Sequence, residues 1–195
     1  KVLNLVDPLH SDSWNCMSDL GDDTLMAQML TNVIIGNTSS GKGDHFWDNG
    51  EANLLKGLVM YVQADPKTPP EEKNLSKVYE LLTGPLLMHI MNNVLNDKNE
   101  KRVHPSKASF SLFAQSSDTV RQGIILGLGT RLQVLQDQAV KQLVSFSDID
   151  LTAPGRHKCA YYIILSDQET SMAFISSLFF SFLFIKLTRF ADNSP

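Results

Sequence analysis

One segment of the sequence has the spacing of a phosphate-binding loop: Gly36-Asn-Thr-Ser-Ser-Gly41-Lys42-Gly43. In such loops backbone N–H groups wrap the phosphates, the lysine reaches them, and a following Ser or Thr holds magnesium. Gly43 occupies that last position here, so the metal ligand is missing. Residues 33–35 could form the preceding strand, but their spacing with upstream apolar residues favours a helix. We interpret Gly36, Gly41 and Lys42 as part of a Gly/Ser-rich connection, and a nucleotide-binding enzyme that uses this segment is the alternative function.

The other reactive side chains lack the spacing of a catalytic or metal site. Asp44, His45 and Asp48 fall within one helical turn, but a helix N-cap at Asp44 accounts for them without a metal. Spacing typical of ligands or nucleophiles is also absent from the remaining histidines and cysteines, which are His10, Cys16, His89, His104, His157 and Cys159. We therefore predict no catalytic residue, no bound metal and no cofactor for this chain by itself.

The composition is that of a globular protein. The chain has 195 residues, of which 43% are hydrophobic and 19% charged, and a formal net charge of -4. It is too apolar for a disordered chain and too polar for a polytopic membrane protein. Its two cysteines cannot form a disulfide scaffold, which favours a reducing compartment. The mild acidity disfavours a surface devoted to nucleic-acid phosphates, although it does not exclude a local basic patch.

Residues 22–147 have the apolar periodicity of a helical bundle. In the first helix apolar side chains recur every three or four positions, at Leu25, Met26, Met29, Leu30, Val33 and Ile34. The same pattern predicts further helices at about 46–62, 70–82, 85–95, 105–115 and 118–144, the last with a break near Asp137. A capping-box spacing from Thr68 to Glu71 is expected to start the second of these. Gly127 and Gly129 lie in a helical pattern, which predicts close helix packing rather than a nucleotide loop.

Both ends of the sequence have α/β character. Residues 2–6 predict a short buried strand, and residues 159–165 predict a central strand buried on both faces, because they are rich in aromatic and β-branched side chains. Ser166 and Glu169 have capping-box spacing, so a helix is expected from residue 167 to about residue 190. This strand and helix together are typical of an open parallel sheet.

The fold class that follows is mainly α: a helical bundle inserted in an α/β domain. We predict a flanking piece over 1–21, the all-α domain over 22–147 and a return segment over 148–195. The chain opens in a strand and ends in a loop, from which we expect it to be a piece of a longer protein.

The apolar run 172–190 also has nearly the length of a membrane span. Lys186 and Arg189 lie in its last turn, several serines interrupt it, and it follows a strand directly. These features favour a core helix of an α/β domain, and a membrane-embedded helix is the alternative.

Several short motifs resemble one family when their order and spacing are taken together, over essentially the whole chain. They are the strand Val2–Asp7, the turn Ser11-Asp-Ser-Trp14-Asn15, the Phe46-Trp47 start of a helix that continues through Ala52–Leu58, the stretch Thr130-Arg131-Leu132, and the return segments Asp148–Leu151 and Tyr161–Leu165. This set resembles the conjugative coupling proteins of type IV secretion systems, the TraG/TraD-like ATPases.

The resemblance implies a complete protein that is a membrane-anchored, RecA-like, homo-hexameric ATPase bound to the secretion channel. Its cargo would be a relaxase–DNA complex or secreted proteins, and ATP and magnesium would be its cofactors. Its all-α domain would be inserted in the nucleotide-binding domain, at the cytoplasmic face of the bacterial inner membrane, and would help to recognise cargo. The Walker A loop belongs upstream of Lys1 and the Walker B strand beyond Pro195, so we expect no ATP hydrolysis by this chain alone.

The resemblance also assigns roles to residues. Trp14, Asn15, Phe46, Trp47 and Arg131 belong to the family motifs, and the three aromatic residues are expected to be structural anchors because such side chains bury large areas. The loops over 36–45 and 97–104 are candidate contact surfaces. The candidate contacts for cargo, and for DNA if it binds here, are the basic residues Lys98, Lys101, Arg102 and Lys107. A solvated loop is the alternative interpretation of this basic cluster.

Overall fold

Eight α-helices account for most of the chain that the computed structural model describes, which comprises residues 1–21, 23–39, 45–97, 103–168 and 170–193. The helices are α1 (Thr24–Thr38), α2 (His45–Ala64), α3 (Leu75–Thr83), α4 (Leu87–Asn96), α5 (Lys107–Ala114), α6 (Asp118–Arg131), α7 (Gln138–Leu143) and α8 (Ala173–Asn193). Two three-residue strands, β1 (Val2–Asn4) and β2 (Tyr162–Ile164), complete the fold. The fold is therefore mainly helical, as the apolar periodicity predicts.

Helix α2 lies at the centre of the bundle, in contact with α1, α3, α5 and α6. Its fully buried side chains recur at the spacing of one helix face and are Leu54, Leu55, Leu58, Val59 and Val62. Because neighbours cover α2 on several sides, this helix organises the core around itself.

Helix α1 begins at an aspartate cap and runs further than predicted. Asp23 Oδ1 accepts hydrogen bonds from the backbone N–H groups of Leu25 and Met26, at 2.8 and 3.3 Å. The prediction placed Leu25 on the buried face, but its side chain is 75% exposed. The apolar stripe is rotated from the predicted one, since α1 packs between α2 and α8 and therefore also buries Ala27, Thr31 and Ile35.

The predicted helix over 70–82 starts later than its capping-box signal indicates. Residues 70–72 form a single 3-10 turn, and α3 begins only at Leu75. Asn74 is the cap, because its Oδ1 accepts from the Lys77 N–H at 3.0 Å. The Thr68 hydroxyl donates to Asp65 Oδ2 at 2.7 Å and so closes a turn instead of starting a helix.

The helical stretch over 118–144 is interrupted, and the predicted break near Asp137 is confirmed. Helix α6 ends at Arg131, a 3-10 turn covers residues 133–136, and Asp137 caps α7 by accepting from the N–H groups of Ala139 and Val140. The chain can therefore change direction between α6 and α7.

Strands β1 and β2 pair in parallel although 160 positions separate Val2 from its partner Tyr162. The outer edge of β1 is closed by residues 11 and 12, since Asp12 Oδ2 accepts from the Val2 N–H at 2.7 Å and Ser11 Oγ accepts from the Asn4 N–H at 2.8 Å. Within the described residues β2 pairs with β1 alone. The prediction of a strand buried on both faces is wrong for this chain: Tyr162 is 63% and Ile164 is 42% exposed.

Helix α8 begins at Ala173, six residues after the predicted start, because Ser166 does not cap it. Ser166 Oγ accepts instead from the Gln168 N–H at 3.2 Å, in a local turn. The helix runs antiparallel to α1: Ser177 Oγ donates to Asn37 Oδ1 at 2.8 Å near one end, and Arg189 lies 2.9 Å from Asp23 at the other.

One face of α8 is buried against the bundle and the other is exposed. The buried side chains are Phe174, Ile175, Leu178, Phe179 and Phe182. Phe180 and Phe184 lie on the exposed side. By length and composition α8 is also the one helix of the described residues that could cross a membrane, and these two criteria are met by core helices of water-soluble proteins as well.

A matched pair of phenylalanines on α8 tests whether this helix is part of the core. Phe179 is fully buried and meets the Trp14 ring edge-to-face at 5.3 Å, whereas Phe184 is 66% exposed. We expect Phe179→Ala to lower the free energy of unfolding by about 3–5 kcal/mol, through lost burial and a new cavity. Phe184→Ala should change it by less than about 0.5 kcal/mol. Urea denaturation of the 195-residue chain measures both, and equal effects would contradict the assignment of α8 to the core.

Candidate functional site

The segment that resembles a phosphate-binding loop is preceded by a helix. Residues 33–35 belong to α1, and Gly36 lies within the same helix, which ends at Thr38. A phosphate-binding loop follows a strand and opens into a helix. The part of the segment that the structure describes therefore lacks the required frame, while Gly41, Lys42 and Gly43 lie outside the described residues.

Arg131 connects three helices close to this segment. Its guanidinium donates to Glu51 Oε2 and Asp48 Oδ1 of α2, and it lies 3.4 Å from Thr38 Oγ1 of α1. Ser39 Oγ donates to the other Asp48 oxygen at 3.0 Å. All three charged side chains are largely buried. This family-motif arginine thus fixes the ends of α1 and α6 to the start of α2, and the Asp48 carboxylate, considered above as a metal ligand, binds Arg131.

Glycines on α6 allow α2 to approach closely enough for this contact. A Cβ atom at Gly127 would lie 2.1 Å from Glu51 Oε1, and one at Gly123 would lie 2.8 Å from the Trp47 ring. The prediction of close packing is confirmed for Gly127 and is wrong for Gly129, where an added Cβ would meet none of the described residues within 4 Å. The four-residue spacing of Gly123 and Gly127 was the sequence signal for this contact face.

Two nearby glycine substitutions should have opposite effects on stability. Gly127→Ala would push Glu51 away from Arg131, and we expect it to cost about 1–3 kcal/mol of unfolding free energy. Gly129→Ala meets open space in the same helix and should add about 0.5–1 kcal/mol, because alanine loses less backbone entropy on folding. Chemical denaturation of the two variants beside the unsubstituted chain measures the difference. Stabilisation by Gly127→Ala would show that α2 and α6 are not held together this closely.

Burial raises the pKa of the Glu51 carboxyl, and the attraction of Arg131 opposes this increase. A carboxyl whose pKa is raised by folding stabilises the folded state most below its ordinary pKa of 4.5, and this contribution is lost as the pH rises through the folded value. Arg131 stabilises the charged Glu51 carboxylate and so limits the loss of folding stability. The folded state therefore depends on Arg131 most near neutral pH, where Glu51 is charged.

Arg131→Met should therefore be more destabilising at high pH than at low pH. We expect a loss of about 3–5 kcal/mol near pH 7, where Glu51 would be a buried charge without its partner. The loss should shrink near pH 4 as the carboxyl takes up a proton, and the added substitution Glu51→Gln should remove most of this pH dependence. Arg156→Ala breaks an exposed pair with Asp150 and is the control, with an expected cost below about 1 kcal/mol. A pH-independent loss for Arg131→Met would contradict the role given to Glu51.

Trp14 and Asn15 join the two chain segments that lead into and out of the bundle. Trp14 is buried, and its ring N–H donates to Asp19 Oδ2 at 3.0 Å. Asn15 Oδ1 accepts from the Met17 N–H at 3.0 Å, and its Nδ2 donates to the Lys73 carbonyl at 2.9 Å. The burial of Trp14 is as expected for a structural anchor, and its role as an anchor stays a prediction.

Phe46 and Trp47, in contrast, are not buried anchors. Phe46 is 54% and Trp47 39% exposed, and their rings meet edge-to-face at 5.4 Å. The Trp47 ring packs against Gly123 of α6. The prediction treated both as buried because of their size, but the first turn of α2 projects beyond the central part that its neighbours enclose.

Of the four candidate cargo contacts, the structure describes Lys107. Lys98, Lys101 and Arg102 lie outside the described residues. Lys107 opens α5, and its Nζ donates to the Asp97 carbonyl at 2.7 Å. A hydrogen bond thus connects the chain on the two sides of the basic loop.

A cavity of about 500 Å³ lies beside the same loop ends, and sequence reasoning did not find it. Its walls come from the start of α1, the end of α2 and the segments next to the basic loop. Most of its lining is apolar, and the polar side chains include Gln63 and His104. Gln63 Oε1 is buried and has no hydrogen-bond partner among the described residues. No motif marks such a site, because its residues come from distant parts of the sequence.

The comparison with known families identifies the class of protein. The family model for type IV secretory system conjugative DNA transfer matches residues 1–194. The chain therefore belongs to this family, and the resemblance to TraG/TraD-like proteins is confirmed. Comparison with curated proteins and with solved structures gives no match.

Proposed function

We propose that the helices between β1 and β2 form the cargo-recognition domain of a conjugative coupling ATPase, and that β1, β2 and α8 belong to its nucleotide-binding domain. The observation that carries this proposal is the parallel pairing of Val2–Asn4 with Tyr162–Ile164. A chain that leaves a sheet and returns to the neighbouring position, with a helical bundle in between, has the topology of an insertion.

The base of the bundle supports the same proposal. The backbone N–H of Trp14 donates to the Leu143 carbonyl, and the backbone N–H of Asp148 donates to the Ser13 carbonyl, both at 2.8 Å. The Asn15 N–H donates to Ser147 Oγ at 3.0 Å. Residues 13–15 and 143–148, which we term the neck, therefore lie side by side, close to the predicted boundary at residue 148.

The complete protein that this proposal implies couples ATP hydrolysis to transfer of a relaxase–DNA complex or of secreted proteins. Its ATP and magnesium site, its hexameric assembly and its location at the cytoplasmic face of the inner membrane follow from the family resemblance. The present chain would contribute docking and no catalysis. We term the region around the cavity and the two ends of the basic loop the docking end, because it is the candidate surface for cargo.

Binding of relaxosome proteins to the 195-residue chain tests the proposal. We expect saturable binding of the relaxase, or of an accessory protein encoded beside the gene, measured by isothermal titration calorimetry. Reversing the charge of Lys98, Lys101 and Arg102 together should weaken binding at least about tenfold and reduce its salt dependence.

Charge reversal of Lys141 and Lys158, neither of which belongs to the basic loop or lines the cavity, is the control and should leave the affinity unchanged. Absence of binding to every relaxosome protein would contradict the proposal. Magnesium-dependent ATP binding that Lys42→Ala abolishes would instead support the alternative of a nucleotide-binding enzyme.

A further inference from the structure

The last turns of α8 are attached to the bundle differently from the rest of the helix. The buried side chains of α8 lie between residues 174 and 182, and Leu183 and Ile185 still pack against the apolar core. Beyond Ile185 no side chain of α8 belongs to this core or packs against it. Phe190 lies over Gly155, where an added Cβ atom would come within 2.6 Å of its ring. Residues 186–193, which we term the α8 end, therefore span about two helical turns without an anchor in the core.

Two ion pairs hold the α8 end against the segment that leads into α1. Lys186 Nζ lies 3.3 Å from Asp19 Oδ1, and Arg189 Nη2 lies 2.9 Å from Asp23 Oδ2. The hydrogen bond from Arg189 lowers the pKa of the Asp23 carboxyl. All four side chains are partly exposed, so each pair adds little stability and is screened by salt. An attachment of this kind opens more readily than the buried part of the helix.

Both acidic partners have a second role that keeps them in place when the α8 end moves. Asp19 Oδ2 accepts from the Trp14 ring N–H at 3.0 Å. Asp23 Oδ1 accepts from the N–H groups of Leu25 and Met26 and so caps α1. Opening of the two ion pairs therefore uncovers two fixed carboxylates. Asp23 also lines the cavity, which places its charge at the docking end.

We propose that the α8 end is an electrostatic latch that sets the charge of the docking end. In the closed state Lys186 and Arg189 neutralise Asp19 and Asp23, and in the open state both carboxylates are left without their cations. The candidate cargo contacts are basic, so the cargo surface that fits them is acidic and is repelled by the open state. Cargo binding and latch closure therefore favour each other. The link to cargo rests on the proposed function, whereas the latch itself depends on the geometry of α8 and the two ion pairs.

Amide hydrogen exchange of the 195-residue chain tests whether the latch opens. Asp19→Asn with Asp23→Asn removes both negative charges, while an asparagine at position 23 can still cap α1. We expect amides 186–193 to exchange about fivefold faster in this variant, because two partly exposed pairs are lost. Amides 175–182, in the buried part of α8, should be unchanged, and so should the first turns of α1.

An ion pair on another helix provides the control. Asp118→Asn removes the pair with Arg121 on α6 and should leave the exchange of α8 unchanged. High salt should speed the exchange of the α8 end in the original chain and should have much less effect in the double variant. Unchanged exchange of the α8 end in the double variant, or equal acceleration along the whole of α8, would overturn the proposal.

Two double variants with opposite effects on charge test the link to cargo. Lys186→Gln with Arg189→Gln opens the latch and leaves both carboxylates uncompensated, so it should weaken binding of the relaxosome protein about fivefold. Asp19→Asn with Asp23→Asn opens the latch but removes the carboxylates, so it should bind at least as tightly as the original chain. Equal affinities of the two double variants would overturn the charge role of the latch.

The exchange and binding experiments together separate this inference from the proposed function. If no relaxosome protein binds the original chain, the docking function fails, and the exchange measurement still decides whether the latch exists. If a relaxosome protein binds with the expected dependence on the basic loop but the α8 end exchanges alike in all variants, the docking function stands and the latch is overturned.

Discussion

The hydrogen bonds of the neck are the constraint on which the rest of the fold depends. They join residues 13–15 to residues 143–148 and so close the whole helical bundle into one loop. The entropic cost of closing a loop rises only slowly with its length, so a few buried bonds and the Trp14 ring can hold together segments this far apart. Once the neck is closed, β1 and β2 lie at neighbouring positions and α8 can cover Trp14.

The elements with strong apolar periodicity were predictable from the sequence, whereas their ends were less so. The buried central positions of α2 agree with the prediction, because Leu54, Leu55 and Leu58 specify one face regardless of context. Both capping boxes failed, at Thr68 and at Ser166. A hydroxyl followed three residues later by a glutamate also suits a tight turn. The Thr68 hydroxyl closes such a turn with Asp65, and Asn74 caps the helix instead.

The interactions of the site could be predicted only in part, because they depend on contacts between distant segments. The motif containing Arg131 was recognisable, but its partners Asp48 and Glu51 lie about 80 positions earlier and nothing local connects them. The aromatic residues of the family motifs show the same difficulty. Trp14 is enclosed by Phe179 and Phe182 of a helix that only the folded chain brings near, whereas Phe46 and Trp47 start a helix whose first turn is left partly uncovered. The cavity has no sequence signal, since it exists through the placement of small and apolar residues from separate helices.

The pairing of β1 with β2 has a consequence for synthesis on the ribosome. At typical bacterial elongation rates of about 5–20 residues per second, Tyr162 leaves the ribosome on the order of ten seconds or more after Val2. The helices, whose contacts are mostly local, can form during this interval, while the first strand waits without its neighbour. The loop at Ser11 and Asp12 satisfies the N–H groups of Val2 and Asn4 and so covers the outer edge of the nascent strand, whereas the edge that pairs with β2 stays open to other chains until Tyr162 has been made.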